Sequence, residues 1–463
     1  MAFDLRAILF NIPEVRKPLE KKLGFNAKLK WTLIMLSAFF ILSNISLYGI
    51  TANFLERFEF LEVVLGSSFG SIITLGIGPI VMASIILQLL AGAQILRIDT
   101  KTPEGRRYFQ GLQKIGVVFF IIFEAMVFVL MGGIQASPGF AGIVILQLFL
   151  GGIAIVFMDE VVQKWGFGSG VSLFIVAGVS WRLFTALFQF MGASGEICLL
   201  DFSNTPCAGS IWVIIQSVIN GAPTEALSAI AAILVTAIIF LAVVWAQNLK
   251  VEIPLSYDRI RGYSMKWPLQ FFYTSVIPVI LVAALLANLQ LFGGLLENWL
   301  GHATFLGHFS QGQAVSGLAY WLSSSNIVQG VIRGSLQTSQ ILQFFIHLAF
   351  FMIFSAVFAV FWVKTSNTDE TAQAKNILSS GLQIPGFRKD QRVLEAILKR
   401  YILPLTIMGG LAVGALAALA DSLGALTSGT AILLAVMIIY QLSTSIVQQH
   451  QVDMHPALKK IIA

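Results

Sequence analysis

Residues 76–81 read Gly-Ile-Gly-Pro-Ile-Val, and residues 275–280 read Ser-Val-Ile-Pro-Val-Ile. In each stretch a proline stands inside a long apolar run and is followed by two aliphatic residues. Interrupted apolar segments at corresponding positions of two halves are typical of membrane proteins built from an inverted repeat. These two stretches therefore predict a duplicated fold, with its pathway close to the interruptions.

A second pair of stretches repeats in the same way. Residues 169–175 read SGVSLFI and residues 428–434 read SGTAILL, and each opens the fifth apolar run of its half. Because each half has five runs, the second half must enter the membrane upside down. The alternative is chance, since proline and glycine are common in membrane helices.

The composition limits the class of protein. Apolar residues make up 57% of the 463 residues and charged residues only 11%, whereas a soluble domain carries roughly 25% charged residues. A disordered chain needs the opposite balance, and two cysteines exclude a disulfide-built secreted domain. The apolar runs are also too long for the strands of an outer-membrane barrel.

The sequence thus predicts an all-α polytopic membrane protein with ten transmembrane helices in two inverted five-helix halves. A span needs about 20 apolar residues, and a shorter apolar stretch at 211–222 is interpreted as interfacial or re-entrant. We expect the spans near 31–50, 72–93, 112–132, 140–158, 170–190, 228–249, 273–293, 341–363, 402–421 and 429–447.

The positive charges predict the orientation. Of the 29 Lys and Arg residues, 26 fall on the side that holds both termini and 3 on the other. The positive-inside rule therefore places both termini in the cytoplasm. The predicted parts are an amphipathic cytoplasmic segment 1–30, an N-terminal half 31–190, an external loop 191–227, a C-terminal half 228–447 with cytoplasmic loops 250–272 and 364–401, and a cytoplasmic tail 448–463. For segment 1–30, a solvated basic arm held by lipid charge is the alternative to an amphipathic surface helix.

Few residues in the spans could carry chemistry. Glu124 is the main ionisable residue inside a span, whereas transporters usually place several there. The chain has no phosphate-binding loop of the G-x-x-x-x-G-K-[ST] type, no Cys/His metal spacing and no nucleophile–base constellation. These observations argue against an enzyme and against a cofactor, and they leave an inverted-repeat secondary transporter as the alternative to a channel.

The repeat aligns aliphatic residues, Val81 with Ile280 and Ile175 with Leu434. Four helices related by pseudo-symmetry would bring such residues to a common axis. A ring of aliphatic side chains can exclude water and block ions without recognising a particular solute. Taken singly, each residue is equally compatible with ordinary packing between membrane helices.

The cysteines predict a disulfide between Cys198 and Cys207. They are the only cysteines, and both lie in the loop that the charge pattern places outside the cytoplasm, where disulfides persist. Asn204 and Pro206 favour a turn between them. Two free thiols are the alternative.

Nine blocks of sequence, in order along the chain, point to a known family. They are IPEVRKP at 12–18, TLGIGPIV at 74–81, PEGRRYFQGLQK at 103–114, GFGSGVSLFI at 166–175, VEIPL at 251–255, SVIPVILVAALLANLQ at 275–290, GFRKD at 386–390, RYILPLT at 400–406 and HPAL at 455–458. In these blocks the chain resembles the SecY family, the channel subunits of the Sec protein-conducting translocon. VEIPL favours the archaeal branch over the bacterial one, and the homologue of the eukaryotic endoplasmic reticulum is the nearer competitor.

This resemblance implies a channel that passes unfolded secretory polypeptides across the cell membrane and releases transmembrane segments sideways into lipid. It implies a pore ring of six aliphatic residues, Ile77, Val81, Val171, Ile175, Ile280 and Leu434. It places a plug near 58–68, where we single out Phe58, Phe60, Leu61, Val64, Leu65 and Ser68. From the residues alone, an external interfacial helix is the alternative for this segment.

The resemblance also implies a lateral gate, made by the second and third spans against the seventh and eighth. Polar residues able to close that seam are Thr74, Ser84, Gln88, Asn288 and Gln290, although taken singly such residues more often make ordinary interhelical contacts. The long cytoplasmic loops would dock the ribosome through Arg259, Arg261 and Arg388, although exposed arginines there can equally be topology determinants. The other implied partners are a small SecE (gamma) subunit, a Sec-beta subunit, signal sequences, nascent polypeptides and the lipid bilayer.

Overall fold

The computed structural model is mostly helical. It describes residues 13–19, 23–53, 68, 70–92, 95–96, 102–131, 133–190, 192, 198, 207–257, 264–274, 277–310, 313–366, 368–380, 382–383 and 390–454. Nine helices of this part of the chain are long and apolar enough to cross a membrane. They are Phe25–Ser43, Pro103–Leu130, Ala141–Trp165, Gly170–Phe188, Pro223–Gln247, Ile277–Leu300, Thr338–Thr365, Gln391–Ser422 and Gly429–Met454.

The second of the ten spans is the short helix Gly78–Gly92. Residues 72–77, which the sequence assigned to the same span, form successive turns instead. Pro79 is therefore the second residue of its helix, and Pro278 is the second residue of Ile277–Leu300. The predicted span 72–93 is therefore not helical before Gly78, and Pro79 stands at the start of its helix rather than in its interior. At a helix start the missing N–H has no intrahelical partner to lose, so proline is well accommodated there.

Several other boundaries also differ from the prediction, among them the end of the tenth span, Gly429–Met454, which runs into the predicted tail 448–463. The first span is Phe25–Ser43 rather than 31–50, so it begins inside the predicted segment 1–30. The ninth, Gln391–Ser422, begins inside the predicted loop 364–401, and the fourth, Ala141–Trp165, continues beyond residue 158. Hydropathy marks the part of a helix that suits lipid, whereas backbone hydrogen bonds continue through polar turns at its ends.

The remaining elements are short and connect the spans. Ser210–Ile219 is a helix where the sequence predicted an interfacial piece. A three-stranded antiparallel sheet joins β3 (Lys250–Tyr257), β4 (Ser264–Gln270) and β7 (Leu382–Gln383). The other short elements are β1 (Ile50–Asn53), β2 (Ile134–Ala136), β5 (His308–Ser310), β6 (Gln313–Ser316) and the helices Leu318–Leu322, Ile327–Ile332 and Glu370–Ser379.

The chain divides into two compact units. The first comprises Met1–Trp181, Ala287–Tyr320 and Ile438–Ala463, and the second Arg182–Leu286 and Trp321–Met437. A buried apolar cluster of the first unit centres on the third and fourth spans and includes Leu291 and Leu295 of the seventh. In the second unit, a buried apolar cluster joins the β3–β4 hairpin to the end of the eighth span and the start of the ninth, the ends predicted to face the cytoplasm.

The same packing contact occurs once in each unit. In the fourth span, a Cβ added at Gly151 would overlap the carbonyl oxygen of Ile72, seven residues before Pro79. In the ninth span, a Cβ at Gly409 would lie 2.6 Å from the carbonyl oxygen of Phe271, and Phe271 is seven residues before Pro278.

The glycine that follows repeats the match. A Cβ at Gly152 would approach Ile121 of the third span within 2.8 Å, and one at Gly410 would approach Ala356 of the eighth within 2.9 Å. The fourth and ninth spans therefore pack on equivalent neighbours through equivalent glycine pairs. These matches support the repeat of spans one to five in spans six to ten more strongly than the short sequence matches do.

Candidate functional site

Four of the six predicted pore-ring residues lie in the first unit. Ile77 is buried in the last turn before the second span, and Val81 lies in the first turn of that helix and is partly buried. Val171 and Ile175 lie in the first turns of the fifth span, where Ile175 is buried. The adjacent Phe174 stacks on Phe39 of the first span with ring centroids 4.8 Å apart, which fixes the rotation of this helix.

The other two ring residues lie in the second unit. Ile280 is partly buried in the seventh span, and Leu434 is buried in the tenth. The pairs from the sequence repeat occupy equivalent helix positions. Val81 and Ile280 each follow the first residue of their helix by three positions, and Ile175 and Leu434 each follow theirs by five.

Most of the predicted plug falls outside the described residues. Five of the residues singled out for the plug lie outside the described residues, namely Phe58, Phe60, Leu61, Val64 and Leu65. Ser68 is described, and its carbonyl oxygen accepts hydrogen bonds from the backbone N–H of Ser71 at 3.1 Å and from the Ser71 hydroxyl at 2.6 Å. The end of the predicted plug is thus tied to the turns that precede the second span.

Two of the polar residues predicted for the gate seam, Thr74 and Ser84, form hydrogen bonds with neighbouring residues. The hydroxyl of Thr74 is buried and donates to the carbonyl oxygen of Ser71 at 2.5 Å, while it accepts from the N–H of Gly70 at 3.0 Å. The hydroxyl of Ser84 accepts from Gln113 of the third span at 2.6 Å. These bonds hold the second span to its own turns and to the third span, on one side of the predicted seam.

The other three seam residues lie in the seventh span and in the second. Asn288 and Gln290 are partly buried in the seventh span. Gln88 lies in the second-span helix, and its side chain is outside the described part of the chain.

The three arginines predicted to meet the ribosome, Arg259, Arg261 and Arg388, lie outside the described residues. The strands next to them are described. β3 ends directly before residue 258, β7 ends directly before residue 384, and Ser256 pairs with Gln383 in an antiparallel ladder. The sheet therefore places the described residues that directly precede the two arginine-bearing segments beside one another.

A tyrosine connects this sheet region to the chain just beyond the eighth span, which ends at Thr365. The Tyr273 hydroxyl donates to the carbonyl oxygen of Thr368 at 2.6 Å. Burial, and then the nearby carboxylate of Asp369, raise the pKa of Tyr273 to about 12, so the hydroxyl remains a donor at neutral pH.

The structure joins Cys198 and Cys207 in a disulfide, with Cα atoms 5.3 Å apart. Around it, the Cys198 N–H donates to the carbonyl oxygen of Phe190 at 3.0 Å, and the Cys207 N–H donates to the side chain of Gln216 at 3.0 Å. These bonds attach the crosslinked loop to the end of the fifth span and to the helix Ser210–Ile219.

A charged cluster that was not predicted from the sequence lies at one end of the fourth span, and we call it the Glu160 cluster. The buried Glu160 carboxylate lies 2.5 Å from Lys114 and 3.5 Å from Lys164, and both lysines lie 3.2 Å from Glu14. Glu160 also accepts from the N–H of Val15 at 2.9 Å. The i,i+4 spacing of Glu160 and Lys164 was the available signal.

This cluster fastens the N-terminal segment 13–18 to the fourth span. Lys164 donates to the carbonyl oxygen of Val15 at 2.7 Å, and the indole N–H of Trp165 donates to that of Arg16 at 2.9 Å. Burial raises the pKa of Glu14, but the hydrogen bonds and charges of Lys164 and Lys114 outweigh it, so the pKa lies below its ordinary value.

Comparison with known proteins identifies relatives of this fold. A family profile described as SecY matches residues 71–443, and one described as the plug domain of Sec61p matches residues 38–70. The protein translocase subunit SecY of Methanothermobacter thermautotrophicus is 43% identical over 460 residues, which cover 98% of this chain and 97% of the relative.

Solved structures agree with these sequence matches. One described as "The structure of a protein conducting channel" has a TM-score of 0.80 at 40% identity and covers 98% of this chain and 99% of its own. Another, "Sec61 in the Canine ribosome-channel complex from the endoplasmic reticulum", has a TM-score of 0.77 at 40% identity, with the same coverage.

Proposed function

The chain belongs to the SecY family, and from this premise we propose that it is the channel subunit through which unfolded secretory polypeptides cross the membrane. The observation that carries the proposal is the placement of the ring residues. Val81 and Ile280, and likewise Ile175 and Leu434, occupy equivalent positions at the starts of four spans.

The mechanism follows from the solvation of a polypeptide. An unfolded chain cannot cross lipid, because its backbone N–H and C=O groups would lose water without gaining partners. A water-filled pathway removes this penalty, and a narrow aliphatic waist excludes ions when the pathway is idle. Aliphatic side chains make no specific hydrogen bonds, so they can yield to any passing sequence. The predicted plug at 58–68 would cover the waist in the idle state.

A lateral gate between the second and third spans and the seventh and eighth would release apolar segments into lipid. A signal sequence offers about ten apolar residues, and at roughly 0.3–0.6 kcal/mol each their insertion supplies about 3–6 kcal/mol. An energy of about that size moves a two-state gate from mostly closed to mostly open. In this proposal Asn288 and Gln290 face the seam, whereas Thr74 and Ser84 stabilise one of its walls.

The proposed setting is the cell membrane, with both termini in the cytoplasm, as the 26:3 distribution of Lys and Arg favours. A small SecE (gamma) subunit and a Sec-beta subunit complete the proposed complex. Copurification of the chain from its native membrane, followed by mass spectrometry of the small subunits, tests this assembly.

The ribosome is the proposed cytoplasmic partner, because the canine Sec61 relative is described in a ribosome–channel complex. Arg259, Arg261 and Arg388 are the proposed contacts, since the guanidinium fork binds phosphate oxygens in pairs. Reversing all three charges should weaken ribosome binding and flatten its salt dependence. Equal binding of the parent and the triple variant at every salt concentration would remove these residues from the contact.

The ring itself is tested by electrical recording. Replacement of Ile175 and Ile280 by glycine should raise the resting ion conductance of channels reconstituted in planar bilayers, because a wider and less apolar waist admits water. The matched control replaces Val179 and Val282, which are buried in the same two spans outside the ring, by glycine. Unchanged conductance in the ring variant, or equal leak in the control, would exclude the ring as the ion seal.

A further inference from the structure

A buried carboxylate lies at the start of the fifth span. Asp159, near the end of the fourth span, accepts a hydrogen bond at its Oδ1 from the N–H of Val171 at 2.9 Å, and the N–H of Gly170 also points to it. Its Oδ2 accepts from the side chain of Gln163 at 2.7 Å. The carboxylate therefore holds the first backbone donors of the fifth span.

The tenth span begins in the same way. Asp421, near the end of the ninth span, accepts at its Oδ1 from the N–H of Gly429 at 2.5 Å, and the N–H of Thr430 also points to it. Its side chain is only 7% exposed, and its Oδ2 lies 4.0 Å from Nε2 of the buried His347. The ring of His347 is itself held at Nδ1 by the carbonyl oxygen of Leu322 at 2.6 Å.

The connection between the fourth and fifth spans and the connection between the ninth and tenth, which we call corners, each contain a closely packed glycine. A Cβ at Gly170 would lie 2.6 Å from the Cα of Asp159. A Cβ at Gly429 would overlap the Cβ of Ala420, next to Asp421. Two spans in different halves thus start in the same way. In each, the first residue of the helix is a glycine that packs against the end of the preceding span, beside the aspartate that accepts from the new helix.

We propose that Asp159 and Asp421 are positioning residues of the pore ring, which set the helix starts that carry Val171, Ile175 and Leu434. The first N–H groups of a helix have no intrahelical acceptor, and an aspartate that accepts from them fixes where the helix begins. Val171 is itself a ring residue and donates to Asp159, whereas Leu434 follows Gly429 by five positions.

A small change at these starts would reach the ring directly. If the residue before or after Gly170 or Gly429 packed on the aspartate instead, the whole helix would shift its register by about 1.5 Å along the axis and about 100° around it. Such a rotation would take Ile175 or Leu434 out of the ring, although neither residue had been changed. This inference rests on the proposed function of the ring.

The test replaces each aspartate by alanine, by asparagine and by serine in the reconstituted channel. Alanine removes the acceptor, asparagine keeps a carbonyl oxygen in its place, and serine keeps a cap oxygen on a shorter side chain. Two quantities are measured, the resting ion conductance and the amide hydrogen exchange of residues 170–175 and 429–434. Thr406→Val is the matched control, because the buried Thr406 hydroxyl donates only within its own helix, to the carbonyl oxygen of Ile402 at 2.7 Å.

We expect the alanine variants to raise both quantities, with exchange at the capped amides faster by about five- to tenfold, the factor that corresponds to one lost cap. Asparagine should restore values near those of the parent, and serine should lie between them. If alanine variants fail to assemble, the serine variants decide by exchange alone. Alanine or serine variants that exchange like the parent, or a Thr406→Val channel that leaks as much, would overturn the proposal.

The two proposals fail in different ways. If the ring is not the seal, glycine at Ile175 and Ile280 leaves the conductance unchanged, but the aspartate variants still accelerate exchange at the helix starts. If the aspartates do not position the ring, the glycine variants at Ile175 and Ile280 still raise the conductance. The aspartate variants then change neither the conductance nor the amide exchange.

Discussion

The corner between the fourth and fifth spans and the corner between the ninth and tenth share a backbone design but differ in charge. Each has an aspartate that accepts from the next helix. The residue after Asp159 is Glu160, the centre of a four-charge cluster, whereas the residue after Asp421 is the buried Ser422. In the proposed orientation the first corner faces the cytoplasm and the second the exterior. The two halves therefore share the aspartate and glycine geometry at the helix start, whereas the charge of the neighbouring side chains differs between the two sides of the membrane.

The two glycine contacts differ in closeness. Gly151 sits so near the carbonyl oxygen of Ile72 that an added Cβ would overlap it, whereas a Cβ at Gly409 would lie 2.6 Å from the carbonyl oxygen of Phe271. Both contacts involve backbone, which cannot move aside as a side chain can. The fourth span therefore tolerates less expansion than the ninth, although the two occupy equivalent places.

The largest predicted effect exploits this difference. Gly151→Ala should lower the free energy of unfolding by about 3 kcal/mol or more, and Gly409→Ala by about 1–2 kcal/mol, because overpacked backbone contacts force the helices apart. Thermal unfolding of the purified protein in detergent measures both. Gly142→Ala, in the same helix as Gly151 but with nothing within 4 Å of the added Cβ, is the control and should be neutral or stabilising. Equal effects at 151 and 409 would show that the two contacts do not differ.

The second prediction makes the charged corner resemble its counterpart. Glu160→Ser should lower the free energy of unfolding by about 2 kcal/mol, because it leaves Lys114 and Lys164 largely buried beside a weaker partner. It should also release the segment 13–18, so that trypsin cleaves after Arg16 several times faster. Glu104→Ser, at an exposed site in the third span, is the control. Unaltered cleavage in Glu160→Ser would mean that the cluster does not hold the segment.

Part of this architecture was readable from the sequence. The proline and glycine matches gave the repeat and the aliphatic pairs, because these residues have backbone requirements that leave a local signature. The glycine contacts at 151 and 409 had none, since the atoms they meet lie seventy or more residues away in sequence. The Glu160 cluster had a single local signal, the i,i+4 spacing of Glu160 and Lys164, because Lys114 and Glu14 come from distant parts of the sequence. Hydropathy also misplaced helix ends, because it reports the lipid-facing stretch and not the hydrogen-bonded one.

A third prediction concerns the connection between the halves, which has no counterpart inside either half. Reduction of the Cys198–Cys207 disulfide should lower the free energy of unfolding by about 2–3 kcal/mol, because a short crosslinked loop loses its entropic restraint on the unfolded chain. Intact-mass analysis after alkylation, with and without reductant, establishes the starting state. Two freely alkylated cysteines in unreduced native protein would contradict both the bond and the external position of the loop. Cys198→Ser/Cys207→Ser, unaffected by reductant, is the control.

The smallest predicted effect is a pH dependence confined to the charged corner. The pKa of Glu14 is lowered in the folded protein from its ordinary value of 4.5, because the hydrogen bonds and charges of Lys164 and Lys114 outweigh its partial burial. A carboxylate with a lowered folded pKa stabilises the protein above its unfolded pKa, and this contribution is lost as the pH falls through the folded pKa.

Glu14→Gln should therefore unfold at a lower temperature than the parent between about pH 6 and 8, by a constant amount, and the gap should narrow as the pH falls below the unfolded pKa of Glu14. The Glu14 side chain is 50% exposed, so the effect should be about 1 kcal/mol or less. Added salt should reduce it further, because solvent-exposed pairs are screened. Glu104→Gln supplies the baseline for an exposed carboxylate. A gap that widens in acid would assign the opposite sign to the interaction and would separate Glu14 from the Glu160 cluster.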